Sequence, residues 1–417
     1  MSQKIDKNRL SPKKLRIAAF LAVMGPGMIA GLSDDDPAGI ATYSVLGANY
    51  GYQLLWVLVI STIALIIFQD LGARIGVVTR QGMIGLIRQK YGARSGTLSA
   101  GALILANIGT MTAEFAGIAA AGQLFGLSKY ISVPLAAILV SYLVLRNSFA
   151  RVEKIFFLIS AVFIAYIIAG FMAGPDWGSA LRGAVVPTMP FTQDAIFIAT
   201  ATFGTTLAPW GLAFIQSYAV DKRLTRDDLK LLRVDVWTGS LLTGIIGIFV
   251  VVTCAATLHK NGIQINDAAD AALALEPLAG TLAKELFAFG LIGAALLAAS
   301  ILPLSTAYSV SDLTGRPAAL DDSLKEAPLF YITFAAITGL SAILILIPGA
   351  PLIKILVFTQ ILNAILLLPL LIYMYGISKD KVLMGEFVSS KKMRVIYGVI
   401  ISIVAIAICC MLWFSFN

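Results

Sequence analysis

Three consecutive carboxylates, Asp34, Asp35 and Asp36, interrupt an otherwise apolar stretch running from Gly25 to Thr42. A charge near a bilayer centre costs at least ~2.5 kcal/mol on insertion scales, so three adjacent acids cannot face lipid. They must line a protein interior or a water-filled cavity, where carboxylate oxygens can hold a hard cation or pass a proton. Pro37 follows directly. It removes a backbone donor and clashes with the preceding turn, and Gly39 loosens the chain further. A helix broken at mid-membrane satisfies its freed backbone groups only against protein or a hydrated site. Asp36, next to the break, is the main candidate ligand, with Asp34 and Asp35 as competitors. In a continuous helix successive residues point ~100° apart, so all three could not face one cavity.

A second interruption lies at Phe203-Gly-Thr-Thr-Leu-Ala-Pro-Trp210, where Gly204 and Pro209 bracket Thr205 and Thr206. Paired broken segments at corresponding positions of two halves point to a transport site built on inverted repeats. Thr205 and freed carbonyls would then complete an oxygen-lined, partly hydrated cavity around Asp36. The plainer reading is that Pro209 kinks a helix and that Asp34 and Asp35 sit at a wet helix end. Glu114 is a further intramembrane acid, either an ion or proton relay or a protonated core group. Gln360 and Asn363 lie three apart on one helix face. They offer neutral oxygens to an ion or hydrogen-bond between helices. Asp70 is assigned only a solvated or capping role.

Other chemistries are excluded by what is missing. The single histidine, His259, falls in a loop, and Cys254, Cys409 and Cys410 lie in apolar runs without metal-ligand spacing. No triad, histidine cage or cofactor motif is present, so neither an enzyme nor a resident cofactor is expected.

The elements that must position these residues are membrane helices. Of 417 residues 59% are hydrophobic and 13% charged, roughly half the charged fraction usual in soluble domains. Spans are read at about 17–47 (interrupted), 53–73, 97–124, 130–145, 155–173, 194–219 (interrupted), 236–257, 286–310, 329–348, 352–376 and 395–415. With a cytoplasmic N-terminus, all but five of the 31 Lys and Arg fall on the inside, the exceptions being Lys129, Arg182, Lys260, Lys284 and Lys354. That bias follows the positive-inside rule and puts the C-terminus outside. It also accounts for the net charge of +8 through anionic lipid, with no need for nucleic acid. Residues 1–16 read as a cytoplasmic tail without a cleavable signal. Residues 17–376 read as a ten-helix core of two repeats, about 17–173 and 194–376, and 377–417 as a loop and eleventh helix.

The stretch from Gly25 to Val57 resembles the first helix and following loop of the Nramp (natural resistance-associated macrophage protein) metal-ion transporters. The resemblance rests on Gly25-Pro-Gly, Asp36-Pro, Ile40-Ala-Thr, Gly47-Ala and Tyr50-Gly-Tyr with Leu54-Leu-Trp-Val, and extends to Arg74-Ile-Gly-Val-Val-Thr79 and Ala113-Glu-Phe. It implies an all-α integral membrane fold, a LeuT-type inverted-repeat (5+5) bundle with discontinuous helices one and six and about eleven transmembrane helices. It also implies a monomer in the cell membrane carrying a divalent metal ion. The family's Asp-Pro-Gly-Asn reads Asp36-Pro37-Ala38-Gly39 here, keeping the metal-binding Asp and losing the Asn ligand at Gly39. The family's Ala-x-x-Met-Pro-His reads Thr205-Thr-Leu-Ala208-Pro-Trp210, so Ala208 replaces a thioether and Trp210 a histidine. Met111 stands where an acid precedes the third-helix Glu, and the ninth helix lacks arginine. Thioether favours softer metals, while carboxylate, hydroxyl, carbonyl and water favour Mg2+ and Mn2+. These departures fit the Nramp-related magnesium branch and transport without obligatory proton coupling. The alternatives are a proton-coupled Mn2+/Fe2+ importer with Glu114 as relay, and an amino-acid transporter of the same fold. The acidic cluster would repel an amino-acid carboxylate.

Overall fold

The computed structural model describes residue 31 and residues 33–146, 164–316 and 324–416. Among these the chain is helical, with no strand. We label α1 Pro37–Tyr50, α2 Leu55–Thr79, α3 Met83–Tyr91, α4 Ala93–Leu124, α5 Lys129–Arg146, α6 Ile164–Met172 and α7 Trp177–Val185. The second half holds α8 Gln193–Thr206, α9 Pro209–Asp221, α10 Leu229–Thr257, α11 Ala283–Thr314, α12 Pro328–Leu346, α13 Leu352–Ser378 and α14 Lys391–Phe416. Eight described segments are long and apolar enough to cross a membrane, α8 and α9 together forming one of them. Of the three other expected spans, α1 is the described part of the first, α5 is a shorter apolar helix, and α6 is what is described of 155–173. Residues 17–30 of the expected first span and the tail 1–16 lie outside the described residues.

Close approach of backbones organises the bundle, as expected where lipid offers no hydrophobic drive between helices. Gly204 is an example. The sequence suggests that it brackets the break, yet it is helical within α8, and a Cβ there would stand 1.8 Å from the Gln360 carbonyl oxygen of α13. It is a contact glycine, and the break comes three residues later.

α4 carries the polar stripe of the core. Asn107, Thr110, Glu114 and Gly117 recur at three- and four-residue spacing, hence on one face. Asn107 Nδ2 donates to Thr306 Oγ1 of α11 (2.7 Å), and Asn363 Nδ2 of α13 donates to Thr110 Oγ1 (2.8 Å). Glu114 reaches Asp36, and Gly117 abuts Pro37, whose Cβ lies 2.3 Å from where a Cβ at 117 would be.

Helical structure also fills the stretch between α10 and α11, and the reading of Asp70 is corrected. Residues 258–285 fold as short helices. Ala268–Ala272 is capped by Asp267 and Asp270, and Ala268 and Ala271 line a small cavity together with Pro37, Ala41 and Leu291. Asp70 is neither merely solvated nor a cap, since it accepts from Arg233 Nε at 2.7 Å, joining α2 to α10. At the same end Lys90, 2.5 Å from Asp380, holds that carboxyl below the usual carboxylate range.

Candidate cation site at two broken helices

Ser33 and Asp34 are still helical, and the chain then turns out of the helix at Asp35 and Asp36. Asp36 takes an extended conformation (φ −76°, ψ 171°) as N-cap of α1, and Pro37 occupies the first turn. Its Oδ1 accepts from Gly39 N at 2.6 Å, the usual service of an aspartate cap to orphan amides. Because the segment is not a continuous helix, the argument that the three acids must fan out by ~100° does not apply. Asp34 Oδ2 accepts from Gln69 Nε2 of α2 at 3.4 Å, and Gln69 Oε1 accepts from Ser240 Oγ of α10 at 3.1 Å.

The second break spans Leu207 and Ala208. Leu207 ends α8 (φ −105°, ψ 49°), and Ala208 (φ −56°, ψ 133°) precedes α9, which begins with Pro209. Thr206 is occupied: its hydroxyl donates to the Thr202 carbonyl at 2.8 Å and pairs with Tyr43 OH at 2.9 Å. Thr205 Oγ1 is buried without a partner.

The two breaks meet at Gly39. A point one Cβ bond from its Cα lies 2.8 Å from the Asp34 carbonyl oxygen, 3.3 Å from Asp36 Oδ1 and 3.3 Å from Thr205 Oγ1. Three oxygens of three kinds thus converge where this residue has no side chain. The surroundings are rich in acid: both oxygens of Asp35 and Oδ1 of Asp34 are buried without hydrogen-bond partners, and Glu114 faces Asp36. Among the described residues no ion pair reaches any of these four acids. Buried charge persists only when paired or bound to a cation, and an acid without either takes up a proton. No group of three or more acidic, histidine or cysteine side chains with metal-binding geometry occurs among the described residues. The three oxygens beside Gly39 are a backbone carbonyl, a carboxylate and a hydroxyl. Asp34, Asp35, Asp36 and Thr205 expose 2%, 0%, 3% and 2% of their surface, so all four are buried inside the bundle.

The other expected residues fall as follows. Ala208 lies in the second break with only its methyl to offer. Trp210 is fully buried; its carbonyl accepts from Ser305 Oγ at 3.1 Å and its Nε1 has no partner. Gln360 and Asn363 bond to each other (2.8 Å) and to α4 through Thr110, the helix-to-helix alternative. His259 Nδ1–H donates to the Ala48 carbonyl (2.9 Å), beyond the end of α10.

A sequence profile described as Natural resistance-associated macrophage protein-like matches residues 27–414. The chain belongs to the Nramp family. A divalent metal cation transporter MntH of Klebsiella pneumoniae is 28% identical over 396 residues, covering 92% of each chain. Among solved structures, the manganese transporter of Eremococcus coleocola superposes with a TM-score of 0.80 at 15% identity, covering 97% of this chain and 88% of that one. MhsT in complex with L-phenylalanine gives 0.61 at 17% identity, covering 94% and 98%. The LeuT-type fold with two discontinuous helices is thus shared beyond the Nramp family.

Two partners of the site escaped the sequence reading. Gln69 is legible in sequence only as a polar residue inside a span, because its partners Asp34 and Ser240 lie 35 and 171 residues away. Tyr43 gave no signal, because its role comes from Thr206, 163 residues away.

Proposed function

We propose that this Nramp-family chain carries divalent metal cations across the cell membrane, with Mg2+ the favoured cargo and Mn2+ accepted, and without obligatory proton coupling. The reading rests on one observation: the Asp34 carbonyl, the Asp36 carboxylate and the Thr205 hydroxyl converge beside Gly39 between the two breaks. No sulfur joins them, since the break position 208 carries alanine. An all-oxygen set with room for retained water suits Mg2+ and Mn2+ better than softer ions. In the proposed cycle the ion enters from the side opposite the basic end, is enclosed between the two breaks, and leaves when the broken helices rock relative to α4 and α11.

The competing reading is a proton-coupled importer, favoured by the contact of Glu114 with Asp36. Uptake by proteoliposomes decides between them. We expect Mg2+ and Mn2+ to enter at rates unchanged by an imposed pH gradient. Uptake that requires an inward proton gradient would replace our reading with the coupled one.

Ala208→Met tests the selectivity argument. The thioether it restores should strengthen Cd2+ competition by about tenfold, given the preference of soft ions for sulfur. An active variant with unchanged Cd2+ competition would show that position 208 does not face the ion.

A further inference from the structure

Away from the cation site, four cations surround a cavity of about 370 Å³ at the basic end of the bundle: Arg74 of α2, and Arg226, Lys230 and Arg233 at the start of α10. Two carboxylates share its rim. Arg233 is engaged by Asp70 at 2.7 Å, whereas Arg226 and Glu386 stand 3.7 Å apart and largely exposed, a loose pair of little strength. Arg74 Nη2 donates only to neutral groups, Ser389 Oγ at 2.9 Å and Tyr397 OH at 3.0 Å, and its Nε is buried without a partner. Lys230 has no ion pair among the described residues. Among the described residues the cavity therefore holds uncompensated positive charge, and its complement is an anion.

The neighbouring helix faces indicate which anion. Along α10, Lys230, Val234, Trp237 and Leu241 recur at helical spacing on one side, and the last three are exposed at 50%, 52% and 52%. On α2, Ile63 lies on the same side as Asp70 and Arg74 and is 50% exposed. Cation, then indole, then aliphatic side chain is the order of depth in a lipid leaflet: head group, interface, acyl chain. Basic pockets between membrane helices are the usual seats of anionic head groups. A soluble anion would have no use for the aromatic and aliphatic part of this track.

We propose that the cavity binds the phosphate group of an anionic phospholipid, with acyl chains lying over Trp237, Leu241 and Ile63. The bound lipid bridges α2, α10 and the segment 386–389 that leads into α14. The test uses the purified full-length protein and native mass spectrometry, with phosphatidylglycerol and phosphatidylcholine supplied together. Wild type should retain phosphatidylglycerol in preference by about tenfold or more, from two or more uncompensated cations at the membrane surface. Arg226→Gln with Lys230→Gln should abolish the preference while leaving the protein folded, since Arg226 makes only the loose pair with Glu386 and an exposed contact with the Phe387 ring, and Lys230 has no ion pair among the described residues. Lys381→Gln with Lys391→Gln, which removes equal charge at the same end but outside the cavity, should retain it. The proposal is overturned if wild type shows no preference, or if the control pair loses it equally. Displacement of phosphatidylglycerol by millimolar inorganic phosphate would overturn the lipid assignment in favour of a soluble anion.

Discussion

Asp36→Asn should abolish Mg2+ uptake in proteoliposomes while leaving the amount of folded protein unchanged. Both halves of that expectation come from the local structure. Asparagine caps a helix as well as aspartate does, so the bond from Gly39 N to the residue-36 side chain (2.6 Å here) survives and α1 starts where it did. The negative charge does not survive. Removing one member of a desolvated charge pair costs about 3–5 kcal/mol, which is at least ~100-fold in occupancy of the site. Asp34→Asn should only weaken apparent affinity, because Asp34 contributes its backbone carbonyl and its side chain is turned to Gln69. Asp35→Asn should likewise act only through the local potential. Near-normal uptake by a folded Asp36→Asn protein, beside a dead Asp34 or Asp35 variant, would move the ion away from the α1 cap.

Gly39→Ala should be nearly as damaging, for a steric reason. The added Cβ would sit 2.8 Å from the Asp34 carbonyl oxygen, which belongs to backbone and cannot swing aside, and 3.3 Å from both Asp36 Oδ1 and Thr205 Oγ1. It would therefore occupy the point on which the three oxygens converge. Helix propensity acts in the opposite direction, since alanine inside a helix is better than glycine by about 1 kcal/mol. Thermal stability should thus hold roughly steady while uptake falls by more than ~10-fold. Ala38→Gly serves as the neighbouring control. Unimpaired uptake by Gly39→Ala would mean that the ion binds elsewhere along the two breaks.

What the sequence revealed of this site was whatever carries its signal locally. Asp36-Pro37 was legible because an acid and a helix breaker together at mid-span have few other uses, and Thr205 because Pro209 follows so closely. The second break falls inside the stretch 203–210 read as interrupted, but Gly204 and Pro209 look alike as interruptions and only Pro209 borders it. Only the backbone of Gln360, packed against position 204, shows that the glycine serves contact. Gln360 and Asn363 were correctly placed on one face, but what they face was decided by Thr110, 253 residues from Asn363. Asp70 looked solvated because Arg233, its partner, is 163 residues away. The helix at Ala268–Ala272 is too short to show a period in sequence, and its place in the cavity wall with Pro37 comes from the tertiary fold.

The polar stripe on α4 has a consequence for how the protein is made. Chains enter the membrane from the N-terminus, and helices insert before they associate. When α4 emerges from the ribosome, only α1 already exists to meet Glu114 and Gly117. The partners of Asn107 and Thr110 lie 199 and 253 residues further along. At the usual 5–20 residues per second, the upper half of the stripe waits some 10 seconds or more for Thr306 and Asn363. During that interval an amide, a hydroxyl and an acid on one helix depend on α1, on water or on an assisting factor in the membrane. The broken first helix, read above as half of an ion site, is thus also the earliest surface on which the core can begin to assemble.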